Sequence, residues 1–295
     1  MLVEQIESFL EIARHGSLSR AAEASFVNQP TLTARLQALE RELGEQLFVR
    51  TGRGMRLNDF GRVFLPHAER ALRALRAGRE AVSGVRSAAA GRLVLGAAPA
   101  VSTYALPDIL QRFASEHPRV EIAVRTGHSE DVLTMVLNDE VHLGLMRAIA
   151  HPDVQTWPFY QEELVLVVAP RHPFAGRRSI KASALSGEQL ILFDRTSSYY
   201  DLTQALFLSA GVTPRGVMEL DNIEAAKRMV ERRLGVALIP KSAAARDIAS
   251  RKLRQIKLAD AQAVTQRIVI ARRRDLGTPT GVAGAFLELA RKTGN

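Results

Sequence analysis

Two short apolar stripes at helical spacing open the informative part of the chain. Ser17 offers a capping hydroxyl, and the residues after it predict a first helix with an apolar face. That face consists of Leu18, Ala21, Ala22 and Phe26. Asn28 caps a second helix, which has Pro30 in its first turn and ends at Gly44. Its apolar face consists of Leu32, Leu36, Leu39 and Leu43. The pattern predicts two helices joined by a short turn.

Two short apolar segments follow the second helix and flank a glycine-rich turn. Residues 47–50 and 55–57 have the composition of strands, and residues 51–54 read Thr-Gly-Arg-Gly between them. The sequence therefore predicts a β-hairpin, called the wing below. It places three arginines beside the second helix: Arg50, Arg53 and Arg56. A basic wing suits phosphate groups or a minor groove.

The face of the second helix opposite its leucines carries short polar groups, a methyl group and a guanidinium. These residues are Gln29, Pro30, Thr31, Thr33, Ala34, Arg35 and Gln37. In the major groove of DNA, Arg pairs with guanine, Gln pairs with adenine, and methyl groups contact thymine. The helix start also attracts phosphate. Any one arginine is equally well explained as a solvated charge, but the joint arrangement favours a DNA-reading helix.

A long helix is predicted from Asn58 or Asp59 to about Ala88. Apolar and small residues recur along it in alternating steps of four and three, at Phe64, Ala68, Ala71, Leu75, Gly78, Val82 and Val85. Such a seam lets two helices pack side by side, so it favours a dimer with two DNA-reading helices on two half-sites. The alternative is that the seam packs on its own domain.

Beyond a small-residue joint at residues 87–91, strands alternate with helices. In a first lobe, strands are predicted at 92–97, 120–125 and 141–146, and helices at 103–116 and 129–138. In a second lobe, strands are predicted at 163–169, 189–193, 217–220 and 235–240, and helices at 199–210 and 222–233. A strand at 267–271 and a helix at 277–292 then return to the first lobe. This alternation of strands and helices predicts two α/β lobes with parallel strands.

Several segments of the N-terminal region resemble, in register and without gaps, the winged helix-turn-helix signature of LysR-type transcriptional regulators. They read Ala21-Ala22-Glu23, Asn28 to Thr33, Leu39 to Gly44, Leu47 to Arg50, and Leu57 to Gly61. The resemblance extends over the whole chain. The chain departs from it at Asn28 and Thr33, where the family usually has serines, so the DNA sequence that it reads is expected to differ.

The resemblance implies an α/β fold with an N-terminal all-α winged helix-turn-helix, a long linker helix and a C-terminal periplasmic-binding-protein-like domain. The expected boundaries are 1–58 for the DNA-binding domain, 59–90 for the dimerisation helix and hinge, and 91–295 for the effector-binding domain. Within that last domain, lobe I comprises 91–162 and 267–295, and lobe II comprises 163–266.

A cleft between such lobes is expected to bind a small molecule, because strand ends and helix N-termini converge there. The predicted lining residues are Ala100, Val101, Ser102, Thr103, His128, Arg147, Thr196, Ser197, Ser198, Tyr199 and Asp221. The resemblance implies hydroxyl donors among the Ser and Thr residues, carboxylate partners in His128 and Arg147, and an aromatic wall in Tyr199. Ala100 stands where several relatives have a hydroxyl residue. Alternatively, the Ser and Thr residues cap helices and Arg147 pairs with an acid.

Composition narrows the choice of function. The 295 residues are 46% hydrophobic and carry a net charge of +9, which suits a globular protein with a polyanionic partner. The charge is not concentrated at one end, since residues 1–90 hold 13 arginines against ten acids, and the rest holds 27 basic against 21 acidic residues. The positions of the arginines in the predicted second helix and wing, rather than the total charge, therefore support DNA binding. There is no cysteine, which excludes disulfides and thiol redox sensing.

No motif points to catalysis. The chain has no phosphate-binding loop, no His-Glu-x-x-His and no Gly-x-Ser-x-Gly, and its histidines lack metal-ligand spacing. We therefore predict no catalytic residue, metal or cofactor. No segment resembles a signal peptide or a membrane span, so a cytoplasmic location is expected.

Three classes of function are compatible with a DNA-binding head. They are a ligand-responsive regulator, a bifunctional enzyme such as a biotin ligase repressor, and an architectural DNA protein. A biotin ligase is expected to have a basic Gly-rich loop in its large domain, whereas the corresponding residues of this chain lie in the wing. An architectural DNA protein does not need two α/β lobes. We therefore predict a LysR-type regulator that binds promoter DNA, an anionic inducer and further copies of itself, as a dimer or tetramer, with RNA polymerase as a further partner.

Overall fold

The computed structural model describes residues 1–52, 54–85 and 91–293. Within the second of these ranges, the side chains at 73, 76, 77 and 79–85 are outside the description. The chain forms two compact units, Met1–Ser83 and Gly84–Asn295. Arg53, and the side chains of Val82 and Val85 in the predicted seam, lie outside the described residues.

The N-terminal unit consists of helices and one hairpin. Its elements are α1 (Val3–His15), α2 (Leu18–Ala24), α3 (Gln29–Leu43), β1 (Phe48–Thr51), β2 (Gly54–Leu57) and α4 (Asp59–Val85). Ser17 and Asn28 cap α2 and α3 as predicted, and the Asn28 side-chain oxygen accepts a hydrogen bond of 2.8 Å from the Thr31 amide. The wing is antiparallel and pairs Phe48 with Leu57. Helix α1 was not predicted from the sequence.

The core of this unit forms around three phenylalanines. Phe9 of α1 packs against Phe48 and Phe64, with ring centroids 5.4 and 5.1 Å apart. Three leucines of the predicted apolar face of α3 are buried in the same core, Leu32, Leu36 and Leu39, whereas the fourth, Leu43 at the end of the helix, is 38% exposed. Burial of this face fixes α3 on the unit, so that its opposite face lies toward solvent.

Phe26 does not belong to the apolar face of α2, contrary to the prediction. Helix α2 ends at Ala24, and Phe26 is 97% exposed with a φ of 53°. The amide of Val27 donates to the Ala22 carbonyl, and that of Phe26 to the Glu23 carbonyl. This is a Schellman ending, which requires a left-handed residue one position beyond the cap. Phe26 takes that position and thereby leaves the helical stripe.

The first half of the predicted seam on α4 packs within its own unit. Ala68 and Leu72 are buried in the core, and Phe64 and Ala71 pack against it. Leu75 is 47% exposed and remains available for other contacts. The first half of the seam therefore packs on its own domain, which was the alternative to pairing with a second chain. Pairing of two chains through the rest stays a prediction.

The C-terminal unit is a mixed α/β structure. Its strands are β3 (Gly91–Ala97), β4 (Val120–Thr126), β5 (Leu143–Arg147), β6 (Val154–Val168), β7 (Ser179–Ile180), β8 (Gln189–Phe193), β9 (Gly216–Leu220), β10 (Val236–Pro240), β11 (Arg254–Leu258) and β12 (Val264–Arg273). Its helices are α5 (Leu106–Glu116), α6 (Ser129–Leu137), α7 (Ser198–Ser209), α8 (Ile223–Glu231), α9 (Lys241–Ala249) and α10 (Gly281–Thr293). One π-helical turn, Val101–Ala105, precedes α5, and 3-10 turns occupy Ala182–Gly187 and Arg274–Leu276.

Two long antiparallel strands connect the lobes. The strand order is β4-β3-β5-β12-β6-β10-β8-β9, with β11 beside β6 and β7 beside β11. In lobe I, β3 runs parallel to β4 and β5, and in lobe II β8 runs parallel to β9 and β10. Strands β6 and β12 pair from Val154 and Arg273 to Leu164 and Val264. The sequence predicted two crossings, but its strand at 163–169 misses the first nine residues of β6.

The parallel strands of both lobes end toward one cleft. Its lining includes Ala98 after β3, His128 after β4, Arg147 at the end of β5, Phe193 at the end of β8 and Asp221 after β9. Carboxyl ends of parallel strands are the usual place for a ligand in such folds. No helix in the described ranges is long and apolar enough to cross a membrane.

Candidate functional site

The solvent-facing side of α3 carries a shallow depression. It is lined by Gln29, Pro30, Thr33, Ala34 and Gln37, all of which were predicted to read DNA. Thr31 and Arg35, which were predicted on the same face, do not line the depression and are half-buried. At about 100° per residue they lie on the adjoining side, nearer the leucines, so the structure brings five of the seven predicted residues of α3 to one exposed surface.

Two hydrogen bonds orient the polar groups of this face. The Ser19 hydroxyl donates to the side-chain oxygen of Gln29 at 3.0 Å, which leaves the Gln29 amide hydrogens directed to other acceptors. The Thr33 hydroxyl donates to the Gln29 carbonyl at 2.9 Å. Because this bond engages the hydroxyl proton, Thr33 offers its methyl group and oxygen lone pairs to a partner. The pattern suits acceptors and methyl groups on base edges.

The wing arginines do not form one cluster. Arg50 pairs across the hairpin with Met55, and Arg56 pairs with Val49. Residues directly opposite each other share a face, so Arg50 and Arg56 lie on opposite faces of the wing. Both are exposed, whereas Arg53 is outside the described residues. The sequence missed this separation because strand register, rather than spacing, decides it.

The start of the second wing strand, just after the turn, is held against the end of α1. The Met55 amide donates to the Gly16 carbonyl at 2.8 Å. Gly54 has a φ of 126°, and a Cβ on it would lie 2.2 Å from that same carbonyl oxygen. Only glycine fits this close approach, which fixes the wing on the unit that carries α3.

The cleft of the C-terminal unit gathers most of the predicted effector residues. Its space is about 760 Å³, part of it open to solvent. The predicted residues that line it are Ala100, Val101, Thr103, His128, Arg147, Ser197, Ser198, Tyr199 and Asp221. Ser102 and Thr196 lie outside the lining. The Ser102 hydroxyl is 3.3 Å from that of Thr126, and the Thr196 hydroxyl donates to Asp194 at 2.7 Å.

Several lining residues were missed by the sequence analysis. They are Tyr104, Phe193, Glu224, Gln266 and Ile268, with Ala98 and Ile223. Phe193 and Ile268 belong to predicted strands, and which face of the sheet they point to depends on how the lobes pack. Tyr104 and Glu224 lie just beyond the helix starts that were considered. Counting one further turn of each helix would have found them.

At one end of the cleft, Arg147 is already paired with an acid. Its guanidinium forms an ion pair with Glu130 of α6, and its backbone amide donates to the Ser129 hydroxyl at 3.3 Å. Its Nε atom is buried and has no hydrogen-bond partner among the described residues. The pairing is the alternative that the sequence left open for Arg147. A buried donor without an acceptor is uncommon and suggests that a further group completes this end.

At the other end, a hydrogen-bonded chain joins the two lobes. The Tyr104 hydroxyl in lobe I donates to Glu224 of α8 at 2.6 Å, and Lys227 donates to the same carboxylate at 2.8 Å. The buried Lys227 ammonium also pairs with Asp247 at 2.6 Å. Burial acts to raise the pKa of Glu224, but the bonds from Lys227 and Tyr104 outweigh it, so the pKa lies below its ordinary value. Burial raises the pKa of Tyr104, which stays a hydrogen-bond donor.

The walls between these ends combine helix starts and aromatic rings. Asn222 and Ser197 cap α8 and α7, and the Asp131 carboxylate accepts from the His128 amide at the start of α6. Capping, the alternative reading of Ser197, is thus what its hydroxyl does. Phe193 and Tyr199 lie with ring centroids 5.7 Å apart, and burial raises the pKa of Tyr199, which keeps this wall uncharged. Three positive helix ends therefore face an aromatic surface.

Replacing Tyr104 by Phe should lower the stability of the C-terminal unit by about 1 kcal/mol at pH 7, because a hydrogen bond to a half-exposed carboxylate is lost. The low pKa of Glu224 contributes stability above its ordinary pKa of 4.5, and this contribution disappears as pH falls. The difference between variant and wild type should therefore shrink toward pH 3. Thermal unfolding followed by Trp157 fluorescence measures it. Tyr200→Phe is the control, and equal losses at both pH values would argue against the interpretation.

No group of three or more His, Asp or Glu side chains in the described part of the chain is arranged to hold a metal ion. The polar groups of the cleft are hydrogen-bond donors, carboxylates and helix ends. Such a set binds and orients a small polar molecule.

Comparison with known proteins gives family matches in both units. Residues 3–62 match the family described as "Bacterial regulatory helix-turn-helix protein, lysR family", and residues 86–295 match "LysR substrate binding domain". The regulator YusT of Bacillus subtilis (strain 168), described as an uncharacterized HTH-type transcriptional regulator, is 30% identical over 254 residues, which are 86% of this chain and 83% of that protein.

Solved structures share the fold. Full-length CbnR complexed with its target DNA has a TM-score of 0.71 at 23% identity, covering 99% of this chain and all of that one. The effector binding domain of QuiR in complex with shikimate has a TM-score of 0.60 at 21% identity, covering 70% of this chain and 97% of that one. Helix-turn-helix and substrate-binding domains therefore occur in the order that the sequence predicted.

Proposed function

Because this chain belongs to the LysR family of transcriptional regulators, we propose that α3 and the wing read a specific promoter sequence under the control of a molecule bound in the cleft. The observation that carries the proposal is the exposed, polar start of α3, which is fixed by its buried leucines. A capped helix with Gln, Thr and Ala on its outer face matches what the major groove offers.

The proposed roles on DNA follow from the hydrogen bonds of each side chain. Gln29 donates its free amide hydrogens to a base acceptor, and the methyl groups of Thr33 and Ala34 contact thymine. Gln37 lies further along the same face. Thr31 and Arg35 on the adjoining side, and Pro30 at the helix start, approach the edges of the groove. Arg50, Arg53 and Arg56 are proposed phosphate or minor-groove contacts.

The proposed role of the cleft is to bind the effector. Hydroxyl groups of Thr103, Ser197 and Ser198, the His128 ring and Arg147 provide polar contacts, and Tyr199 provides the apolar wall. Ala100, Val101 and Asp221 complete the surface, while Ser102 and Thr196 support the loops from outside it. The domain's family description and the shikimate complex of the similar QuiR domain support this assignment.

Self-association is part of the proposal. Phe60, Val63 and Leu75 of α4 are large apolar residues that remain exposed in the single chain. Covering them in a partner would remove apolar surface from water and place two α3 helices on a two-fold symmetric operator. A dimer through α4, its association into a tetramer and a contact with RNA polymerase are proposed on this basis. We also propose that the protein has no enzymatic activity.

Footprinting on the promoter regions adjacent to the gene should show a protected stretch of defined position. The expected result is protection that persists in excess random DNA at a fixed salt concentration, because base contacts add to the phosphate contacts that all duplexes share. Uniform coating of promoter and random DNA would instead identify an architectural DNA protein. Repeating the measurement with candidate cleft ligands tests the effector role, since a ligand must shift or alter the protected stretch.

A further inference from the structure

We propose that the molecule bound in the cleft carries a protonated amine in addition to a carboxylate, and that Asp221 receives the amine. The inference rests on the proposed role of the cleft as the effector site, and it specifies the class of effector. It differs from the anionic inducer predicted from the sequence, because the charges that the fold brings to the cleft were not visible in the motifs.

The charge balance of the cleft is negative. We consider the charged side chains, within the described part of the chain, that line the cleft or hydrogen-bond to a lining residue. Two are cations, Arg147 and Lys227, and five are carboxylates. The carboxylates are Asp221, Glu224, Glu130, Asp131 and Asp194. An effector that is only an anion would add charge to an existing excess of the same sign.

Both cations already form an ion pair with at least one carboxylate. Arg147 pairs with Glu130, and Lys227 lies between Glu224 and Asp247. A purely anionic effector would have to compete with carboxylates that are held in place by the fold. Competition of this kind lowers affinity, because each displaced acid must be rehydrated or left without its partner.

Asp221, in contrast, is a carboxylate with no cation beside it. It follows β9 at the cleft, is exposed, and forms no hydrogen bond or ion pair with the described residues. It is not needed to cap α8, since the neighbouring Asn222 side chain accepts from the Ala225 amide at 3.0 Å. An ammonium group can form charge-assisted hydrogen bonds with such a carboxylate.

A carboxylate on the same effector has a separate place to bind. The starts of α6 and α7 are positive helix ends, and the Ser197 hydroxyl and the unmatched Nε of Arg147 lie on that side. The aromatic rings of Phe193 and Tyr199 line the same cleft. The arrangement fits a small amino acid or another short amino-carboxylic acid with an apolar middle.

The test compares matched compounds on the full-length protein by calorimetry. The probes are norvaline, glutamate and 5-aminopentanoate, and the matched acids without the amine are pentanoate and glutarate. At least one amino compound should bind tenfold more tightly than its deaminated counterpart, which isolates the contribution of the ammonium group. Asp221→Asn should weaken that binding at least tenfold and leave binding of the deaminated acid within twofold.

Asp201→Asn is the matched control, because Asp201 is an exposed aspartate in the first turn of α7, in the same lobe but outside the cleft lining. It should leave all affinities within twofold. The inference is overturned if every deaminated acid binds as tightly as its amino compound, if both variants behave alike, or if no amino probe binds at 10 mM.

The promoter footprint separates this inference from the proposed function. If glutarate or pentanoate binds the cleft and alters the footprint, the proposed control by an effector is supported and the proposal that the effector carries an amine is wrong. If no compound and no condition gives a footprint, the regulatory function fails, while calorimetry still reports whether Asp221 binds an amine.

Discussion

Replacing Ala34 with glutamate is expected to abolish specific DNA binding, with a loss of at least a hundredfold, or about 3 kcal/mol. Ala34 is exposed and lines the depression on α3 together with Pro30 and Gln37. The floor of a major groove presents mainly acceptor atoms between two rows of phosphates. A carboxylate at this position meets negative charge on every side. Glutamate is a good helix former, so the fold itself should be unaffected.

The control for this variant is Ala245→Glu, which makes the same change at an exposed helical position of the C-terminal unit. Its promoter affinity, measured by fluorescence anisotropy, should remain within a factor of two. If Ala34→Glu binds the promoter as well as this control does, α3 does not enter the groove by this face. Retention of random-sequence binding alone would show that phosphate contacts lie elsewhere, on the wing.

Replacing Gly61 with alanine is expected to destabilise the N-terminal unit by about 3 kcal/mol. Gly61 lies in the first turn of α4, and a Cβ on it would be 2.1 Å from the Leu47 carbonyl oxygen. That oxygen accepts a hydrogen bond of 3.1 Å from the Asn58 amide, and the Asn58 side chain accepts one of 2.9 Å from the Gly61 amide. The clash is with backbone held on both sides, so no side-chain movement relieves it.

Gly78→Ala provides the comparison on the same helix, because a Cβ there meets no atom within 4 Å. It should stabilise α4 by about 0.5 to 1 kcal/mol through helix propensity. Amide hydrogen exchange in residues 3–43 measures both effects, since Trp157 reports only on the C-terminal unit. Equal protection in the two variants would show that α4 can shift away from the wing.

Local chemistry made much of the N-terminal unit predictable. The Asn28 cap, the leucine face of α3 and the opposite polar face follow from residues close together in the chain. Phe26 was misassigned because apolar spacing continued one turn beyond a helix that ends in a Schellman motif. Periodicity detects which side of a helix is apolar, but the ending depends on backbone hydrogen bonds that periodicity does not encode.

For the C-terminal unit, prediction from the sequence was limited by side-chain contacts between distant segments. Its alternating strands and helices were predicted, and so were the loops that bring Ala100, His128 and Ser197 to the cleft. The pairing of Arg147 with Glu130, and the chain from Tyr104 to Lys227, depend on side-chain directions across elements that are distant in sequence. These contacts determine the charge of the cleft. Motif spacing alone therefore suggested an anion where the assembled residues favour a zwitterion.

The pairing of β6 with β12 restricts how the cleft can respond to its occupant. Ten residues of β12, roughly 33 Å of backbone, lie along β6, and their register shifts once, between Ile268 and Val269. Swinging one lobe away from the other would break ladder hydrogen bonds, whereas a change in ribbon twist conserves them. A bulge bends and twists a strand locally, so a signal from the cleft is expected to leave as a change of twist centred on this shift.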